Sequence, residues 1–452
     1  MTFRSDRCND GLVKVSEPSS LDATERSAAS GTALRGTLRR VRYDLDKRPF
    51  LVIWELTRAC DLACRHCRAT SQHERDPNEL TTEQGFSLLE QVASFGLPRP
   101  VVILSGGDPF KRPDLYELVA RASQLGLAIS VSPSVTPLAT REGFAALRAA
   151  GAVSVSLSID GASGATHDAF RQVEGSFERT VSAAMDCSEL GLRFQMNTTV
   201  TPHDIDELAD IALLARRLGA MTWSVFFLVQ TGRGRDLDLV SAREADDLMS
   251  FIYDTGKHLA VKTTEAPQYR RVVIQRRVLE KAGVPPGEVL TLLDRSQELS
   301  ARFRAGIDQT HASGSSDAKA RRLATQDGGR DVGAGSAGSP LRRPPMEINA
   351  GKGFAFVSHT GDVYPSGFLP IPAGNVRDES IASIYRNSDL FRSLRDEGRL
   401  EGRCSHCEFR RVCGGSRSRA FASSGSPWGE DPLCEYRAST FPYQEELAPY
   451  LV

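Results

Sequence analysis

Seven of the chain's nine cysteines fall in two short groups, and thiolates so grouped bind metals. ACDLACRHC places Cys60, Cys64 and Cys67 in a C-x3-C-x2-C pattern. Three close thiolates without a fourth cysteine suit a 4Fe–4S cluster with one iron left open, since ordinary electron-transfer clusters take four. An open position is where a substrate or cofactor binds, as in catalytic zinc sites. Cys404-x2-Cys407-x5-Cys413-x20-Cys434 supplies four thiolates. Four close a cluster or a zinc ion completely, giving a structural or electron-transferring centre. Zinc is the alternative at both sites, with His66 or His73 as fourth ligand at the first and a zinc ribbon at the second. Cys8 and Cys187 stand alone, and Cys187, inside a helical pattern, reads as a small buried hydrophobe.

The bulk of the sequence sets the context. A chain of 452 residues with 40% hydrophobic content and a net charge of −1 has room for two or three soluble domains. This balance implies no nucleic-acid partner and no membrane partner. No apolar run reaches the ~18 residues of a membrane span, and MTFRSDRCNDGLVKVSEPSS lacks a signal-peptide core. The expectation is a cytoplasmic protein, whose reducing compartment favours metal binding over disulfides.

Elements that would position the cysteines alternate along the chain. LVIWEL (51–56), VVILS (101–105), LAISVSP (127–133), VSVSLSI (153–159), LRFQMNTTV (192–200) and TWSVFFLV (222–229) read as short apolar strands. Each precedes an amphipathic helical pattern, the first being 81–95 with Thr81 or Thr82 as N-cap. Six strand–helix units predict an α/β fold with a parallel sheet, either a partly closed barrel or a doubly wound sheet. In both, loops at the C-terminal strand ends carry the chemistry, and the first cysteine group directly follows the first strand. Residues 1–41 read as a disordered tail, 42–265 as the core barrel and 266–307 as a helical connection. Residues 308–345, rich in Ser, Gly, Ala and Asp, read as a flexible insertion, and 346–452 as a second domain. A β-hairpin is expected around HTGD, and a helix over 380–398.

ELTRACDLACRHC resembles the signature of the radical S-adenosylmethionine (radical SAM) superfamily, with His66 where an aromatic residue is usual. The resemblance implies a 4Fe–4S cluster held by three cysteines and by S-adenosylmethionine. The cofactor is cleaved reductively to a 5′-deoxyadenosyl radical that abstracts hydrogen from substrate. LSGGDP (104–109) looks like the family's GGE motif, which binds the methionine amino group. Gly106 and Gly107 there allow close backbone approach to the cofactor, and Asp108 replaces the commoner Glu. By itself GGDP is also an ordinary turn. SLSIDG…HDAFR (156–171) resembles the fourth-strand segment, placing Ser158 and Arg171 against the ribose or carboxylate of the cofactor. Arg offers a carboxylate a planar two-pronged donor. NTTV brings Asn197 and Thr199 to the same pocket, and FFLVQTGRG brings backbone near Leu228 to the adenine. Strand-end packing is the alternative role for those three. These segments occur in family order over residues 45–265, and members fold that region as a partial (β/α)6 barrel.

GDVYPSGF…GNV…CSHCEFRRVCGGSR…DPLC resembles the SPASM domain appended to many radical SAM enzymes. Full SPASM domains hold two auxiliary 4Fe–4S clusters. Ser366 and Ser416 stand where two of their cysteines occur, so the resemblance implies one auxiliary cluster, on Cys404, Cys407, Cys413 and Cys434. Relatives with this domain act on tetrapyrroles, on ribosomally made peptides or on sulfatases. The expectation is tetrapyrrole chemistry, a haem-biosynthesis-like decarboxylation or side-chain oxidation, with peptide maturation as the alternative. A non-enzymatic iron–sulfur electron carrier is the remaining class. A flavodoxin- or ferredoxin-type donor would supply electrons to the enzyme. Arg233, Arg235, Arg270 and Arg271 are candidate partners for substrate carboxylates at the barrel mouth, or else solvated loop charges.

Overall fold

The computed structural model describes residues 43–312 and 347–451. Seven strands pair in chain order, all parallel. They are β1 (Leu51–Thr57), β2 (Val101–Gly106), β3 (Ala128–Val131), β4 (Ser154–Ser158), β5 (Phe194–Val200), β6 (Thr222–Phe227) and β7 (Val261–Thr264). Helices cross between them because parallel neighbours cannot be joined by tight turns. The first, Thr82–Ala93, begins in a capping box in which the Thr81 hydroxyl and the Gln84 side chain each accept a backbone N–H of the other. The result is the expected α/β partial barrel. β7 is an addition to the six expected strands: VKTT is too short and too polar to stand out by periodicity.

Alternation along the strands separates two environments. Trp54, Leu104, Ile129, Leu157, Met196 and Trp223 face the helices and are wholly buried in one core. Burial of such side chains contributes about 1.5–3 kcal/mol each. The opposite face carries Glu55, Ser105, Ser130, Ser158, Asn197, Ser224 and Lys262, so the concave interior is polar. Cys187 is fully buried in the core, as its helical setting implied.

The expected hairpin is present as β8 (Phe354–Val357) and β9 (Asp362–Tyr364), antiparallel about His359–Gly361. β8 also pairs in parallel with β1, and β10 (Gly374–Asn375) pairs with β9, so the sheet runs β10-β9-β8-β1 through to β7. The C-terminal region therefore extends the barrel's own sheet. The expected 380–398 helix is two helices, Ile381–Asn387 and Asp389–Arg395, because Ser388 ends the first and caps the second. Helices Gln268–Ala282 and Asp294–Ala312 occupy the connection. The second runs past residue 307, anchored by Leu299, Phe303 and Ile307 at helical spacing on its buried face. The tail at 1–41 and the insertion from 313 onward lie outside the described residues. Among the described residues, no helix is long and apolar enough to cross a membrane.

Candidate active site and second metal centre

Cys60, Cys64 and Cys67 lie in the loop after β1, at the C-terminal edge of the sheet. The loop is closed on itself: the Cys60 N–H donates to Gln72 O (2.7 Å) and the Cys67 N–H to Cys64 O (3.2 Å). Burial raises the thiol pKa of Cys60 and of Cys64, against the opposing pull of Ser134 on the first and Arg171 on the second. Burial also acts on Cys67, but the backbone N–H of Ser71 and the Arg233 charge outweigh it and lower that thiol. His66 is half-buried and stacks flat on Phe170 (4.6 Å between centroids), and its pKa is pushed down to about 4 by loss of solvent. His73 is exposed, beside Asp61 at 3.5 Å.

Gly106 and Gly107 serve a contact the sequence did not reveal. A Cβ on Gly106 would strike Thr57 O, and one on Gly107 would strike Ala59 O. The N–H groups of Gly107 and Asp108 donate to those same oxygens, both at 2.7 Å. The glycines thus press β2 against the start of the cysteine loop. Asp108 is fully buried and caps the next turn, accepting from Thr136 Oγ1 (2.6 Å) and the Phe110 N–H (3.2 Å); burial raises its pKa.

Strand register sets four interior positions in one layer, with Ser158 beside Asn197, Asn197 beside Ser224, and Ser224 beside Lys262. Ser158 and Arg171 line a small pocket with Leu62 of the cysteine loop, Ser134, His167 and Thr180. Arg171 donates to Cys64 Sγ (3.5 Å) and to the buried carboxylate of Asp160, and its Nε–H has no acceptor among the described residues. Such an orphaned donor beside a pocket fits an anionic ligand. Asp160 also accepts from the Thr199 N–H (2.8 Å). Burial works to raise Asp160, but the Arg171 charge holds it below the usual carboxylate range. Asn197 accepts from Gln195 (2.7 Å). Leu228 is buried, and its carbonyl accepts from Arg419 (3.1 Å).

Cys404, Cys407, Cys413 and Cys434 line a single, partly open cavity, shared with Arg271, Phe409 and Tyr436. Among the described residues, no three His, Cys, Asp or Glu side chains are set to hold one metal ion. Four thiols around one cavity are the donor set that a 4Fe–4S cluster requires.

Ser366 and Ser416, far apart in sequence, meet at one carboxylate. Ser366 Oγ (2.8 Å) and Ser418 Oγ (3.0 Å) donate to Glu265 Oε1, and Ser416 Oγ donates to Oε2. Glu265 follows β7 and holds φ at +54°, an unfavourable conformation for a residue with a side chain. Arg419 fixes it there by donating to its carbonyl (2.7 Å). Ser366, Ser416 and Ser418 thus form one hydrogen-bonded knot around Glu265.

The cations expected at the barrel mouth are otherwise employed, which corrects that reading for three of the four. Arg233 donates to Cys64 O (2.9 Å) and Ser71 Oγ (3.1 Å), bracing the cysteine loop. Arg270 binds the carbonyls of Val412 (3.0 Å) and Ile348. Arg271 pairs with both oxygens of Asp246 (2.5 and 2.7 Å) at the second cavity. Arg235 alone is exposed. The sequence reading also missed Glu55, Asp160, Lys262 and Glu265. Asp160 lies inside the quoted SLSIDG segment; the others carry no local signal, because their partners lie elsewhere in the chain.

Comparison with known proteins agrees with this architecture. Residues 54–215 match the radical SAM superfamily, and residues 349–408 match the SPASM iron-sulfur cluster-binding domain. The chain is 37% identical over 393 residues to an AdoMet-dependent heme synthase of Oleidesulfovibrio alaskensis, covering 86% of this chain and 87% of that one. It is 36% identical to the AdoMet-dependent heme synthase of Methanosarcina barkeri (86% and 97% covered). It is 30% identical to the mycofactocin maturase MftC of Mycolicibacterium smegmatis (85% and 82% covered). The crystal structure of Streptococcus suis SuiB shares the fold, with a TM-score of 0.59 at 13% identity over 86% of this chain and 78% of that one. The chain therefore belongs to the radical SAM superfamily: it is an enzyme with a SPASM domain that uses 4Fe–4S clusters and S-adenosylmethionine.

Proposed function

We propose that the enzyme acts on a carboxylate-bearing tetrapyrrole, in a haem-biosynthesis-like decarboxylation or side-chain oxidation. Lys262 carries this reading. It points from β7 into the polar interior, in the same layer as Ser158 and Asn197. Among the described residues Lys262 makes no hydrogen bond or ion pair and is half-buried, and the neighbouring Ser224 Oγ is buried without a partner. Loss of solvent lowers its pKa to about 8. A half-buried ammonium without a counter-charge favours an anionic ligand group. The relatives named heme synthases support the tetrapyrrole class, and those named mycofactocin maturases support a peptide as the second reading.

When bound, S-adenosylmethionine and its cluster would supply one-electron reductive chemistry and hydrogen abstraction. The chain's part is to hold and orient. Cys60, Cys64 and Cys67 hold the first cluster. Arg171, kept in place by Asp160, meets the cofactor carboxylate, with Ser158 at the ribose. Gly106, Gly107 and Asp108 form the wall near the amino group. His66, Asn197, Thr199 and Leu228 complete the surround. The four C-terminal cysteines hold one auxiliary cluster, consistent with the Glu265 knot at Ser366 and Ser416. A flavodoxin- or ferredoxin-type protein in the cytoplasm is the electron donor.

The test compares binding of Fe-coproporphyrin III with that of its methyl ester. A charge-assisted bond contributes about 1.5–3 kcal/mol, or roughly ten- to a hundred-fold in affinity. The native chain should prefer the acid by that factor, and Lys262→Met should lose the preference. Equal binding of acid and ester by the native chain would refute the carboxylate reading. Turnover of a peptide without turnover of the porphyrin would install the second one.

A further inference from the structure

The geometry assigns Arg271 a role that its sequence position did not suggest: it is a positioning residue that stabilises the reduced auxiliary cluster through its charge and its Nε–H. The inference rests on the four-cysteine cavity holding a cluster. Arg271 lines that cavity with Cys404, Cys407, Cys413 and Cys434 and is 4% exposed. Its Nη1 donates to Gln275 (3.1 Å), and its Nη2 to both oxygens of Asp246. The guanidinium sits over the Tyr436 ring at 4.8 Å, which fixes its plane. Its Nε–H is buried and has no acceptor among the described residues. Buried donors are rarely left unmade, because each costs about 1–3 kcal/mol. A cluster sulfur or a coordinating thiolate in the cavity is the acceptor this arrangement lacks.

The surrounding charges make Arg271 the decisive one. Arg403 and Arg410 also line the cavity but are exposed, and Arg403 is paired with Glu430 (2.6 Å). Asp431 is neutralised by Arg419 (2.8 Å). Asp246 stands behind Arg271 and is not part of the lining, so the cation is the nearer member of that pair. Reduction adds negative charge to a cluster. A nearby buried cation and a hydrogen bond to sulfur both favour the reduced form and raise the potential. Asp246 opposes this from the second rank.

Redox titration of the reconstituted full chain, followed by electron paramagnetic resonance, tests the assignment. The auxiliary signal is the one that S-adenosylmethionine leaves unchanged. Arg271→Gln should shift its midpoint to more negative potential, and Asp246→Asn to more positive potential. Opposite signs support the assignment, because a general loosening of the fold would not separate them. Unchanged midpoints, or shifts of the same sign, overturn it. Iron analysis runs alongside. About four irons in the native chain, in place of about eight for two 4Fe–4S clusters, would instead remove the auxiliary cluster itself. If Arg271→Gln alone loses iron, Asp246→Asn decides: an unchanged or lowered midpoint overturns the assignment.

Discussion

Replacing Glu55 by Gln should remove about 3 kcal/mol of stability at neutral pH. Glu55 is fully buried at the end of β1, just before the cysteine loop. Its carboxylate faces Arg68 at 3.0 Å, His359 Nδ1 at 3.0 Å and Arg58 at 3.5 Å. Burial acts to raise its pKa, yet Arg68, the His359 hydrogen bond and Arg58 hold it down to about 2, against an ordinary 4.5. At about 1.4 kcal/mol per pH unit, that depression is worth roughly 3 kcal/mol. Leaving the arginines without their carboxylate costs a similar amount, about 3–5 kcal/mol for a broken buried pair. The sign follows from the depressed pKa. The contribution is complete above about 4.5 and is lost as pH falls towards 2. Urea unfolding, read by the fluorescence of Trp54 and Trp223, measures it in both chains at pH 7.5 and across the acid range. The gap should be near 3 kcal/mol at pH 7.5 and close progressively below pH 4.5. A gap under about 1 kcal/mol at neutral pH, or one that stays constant into acid, refutes the reasoning. Arg68 directly follows Cys67 and also reaches Gly367 O (3.5 Å), so Glu55→Gln should weaken iron retention at the first site as well.

Asp160→Asn should weaken S-adenosylmethionine binding by about ten-fold, because Arg171 loses the partner that aims it; equilibrium dialysis measures this, and unchanged affinity counts against that role. The reconstituted chain should carry about eight irons, and Cys404→Ala about four, with part of the cofactor cleavage retained; Cys64→Ala should abolish cleavage, read as 5′-deoxyadenosine. Ser366→Cys with Ser416→Cys should add no iron, since two thiols are too few for a cluster; four further irons would show the site to be competent after all. Glu265→Gln turns three charge-assisted serine bonds into neutral ones and should cost about 2–3 kcal/mol in unfolding experiments; a loss below 1 kcal/mol would make the knot incidental.

The sequence by itself determined the first six strands, the order of the cofactor segments and the two cysteine groups, because these are local. Apolar runs in LVIWEL or VVILS, helical spacing after them and thiols two or three residues apart need no distant partner to be read. Only the tertiary structure decided which polar residues act together. Glu55 meets His359 across 304 positions, Ser416 meets Glu265 across 151, and β8 pairs with β1. Arg233, Arg270 and Arg271 look alike as loop cations, yet the fold sends the first to the cysteine loop, the second to backbone carbonyls and the third to the auxiliary cavity. Lys262 stands in an unremarkable VKTT, and only strand register sets it beside Ser224, in the layer of Ser158. A charge takes its role from what desolvates it and what pairs with it, and both come from segments that meet only when the chain has folded.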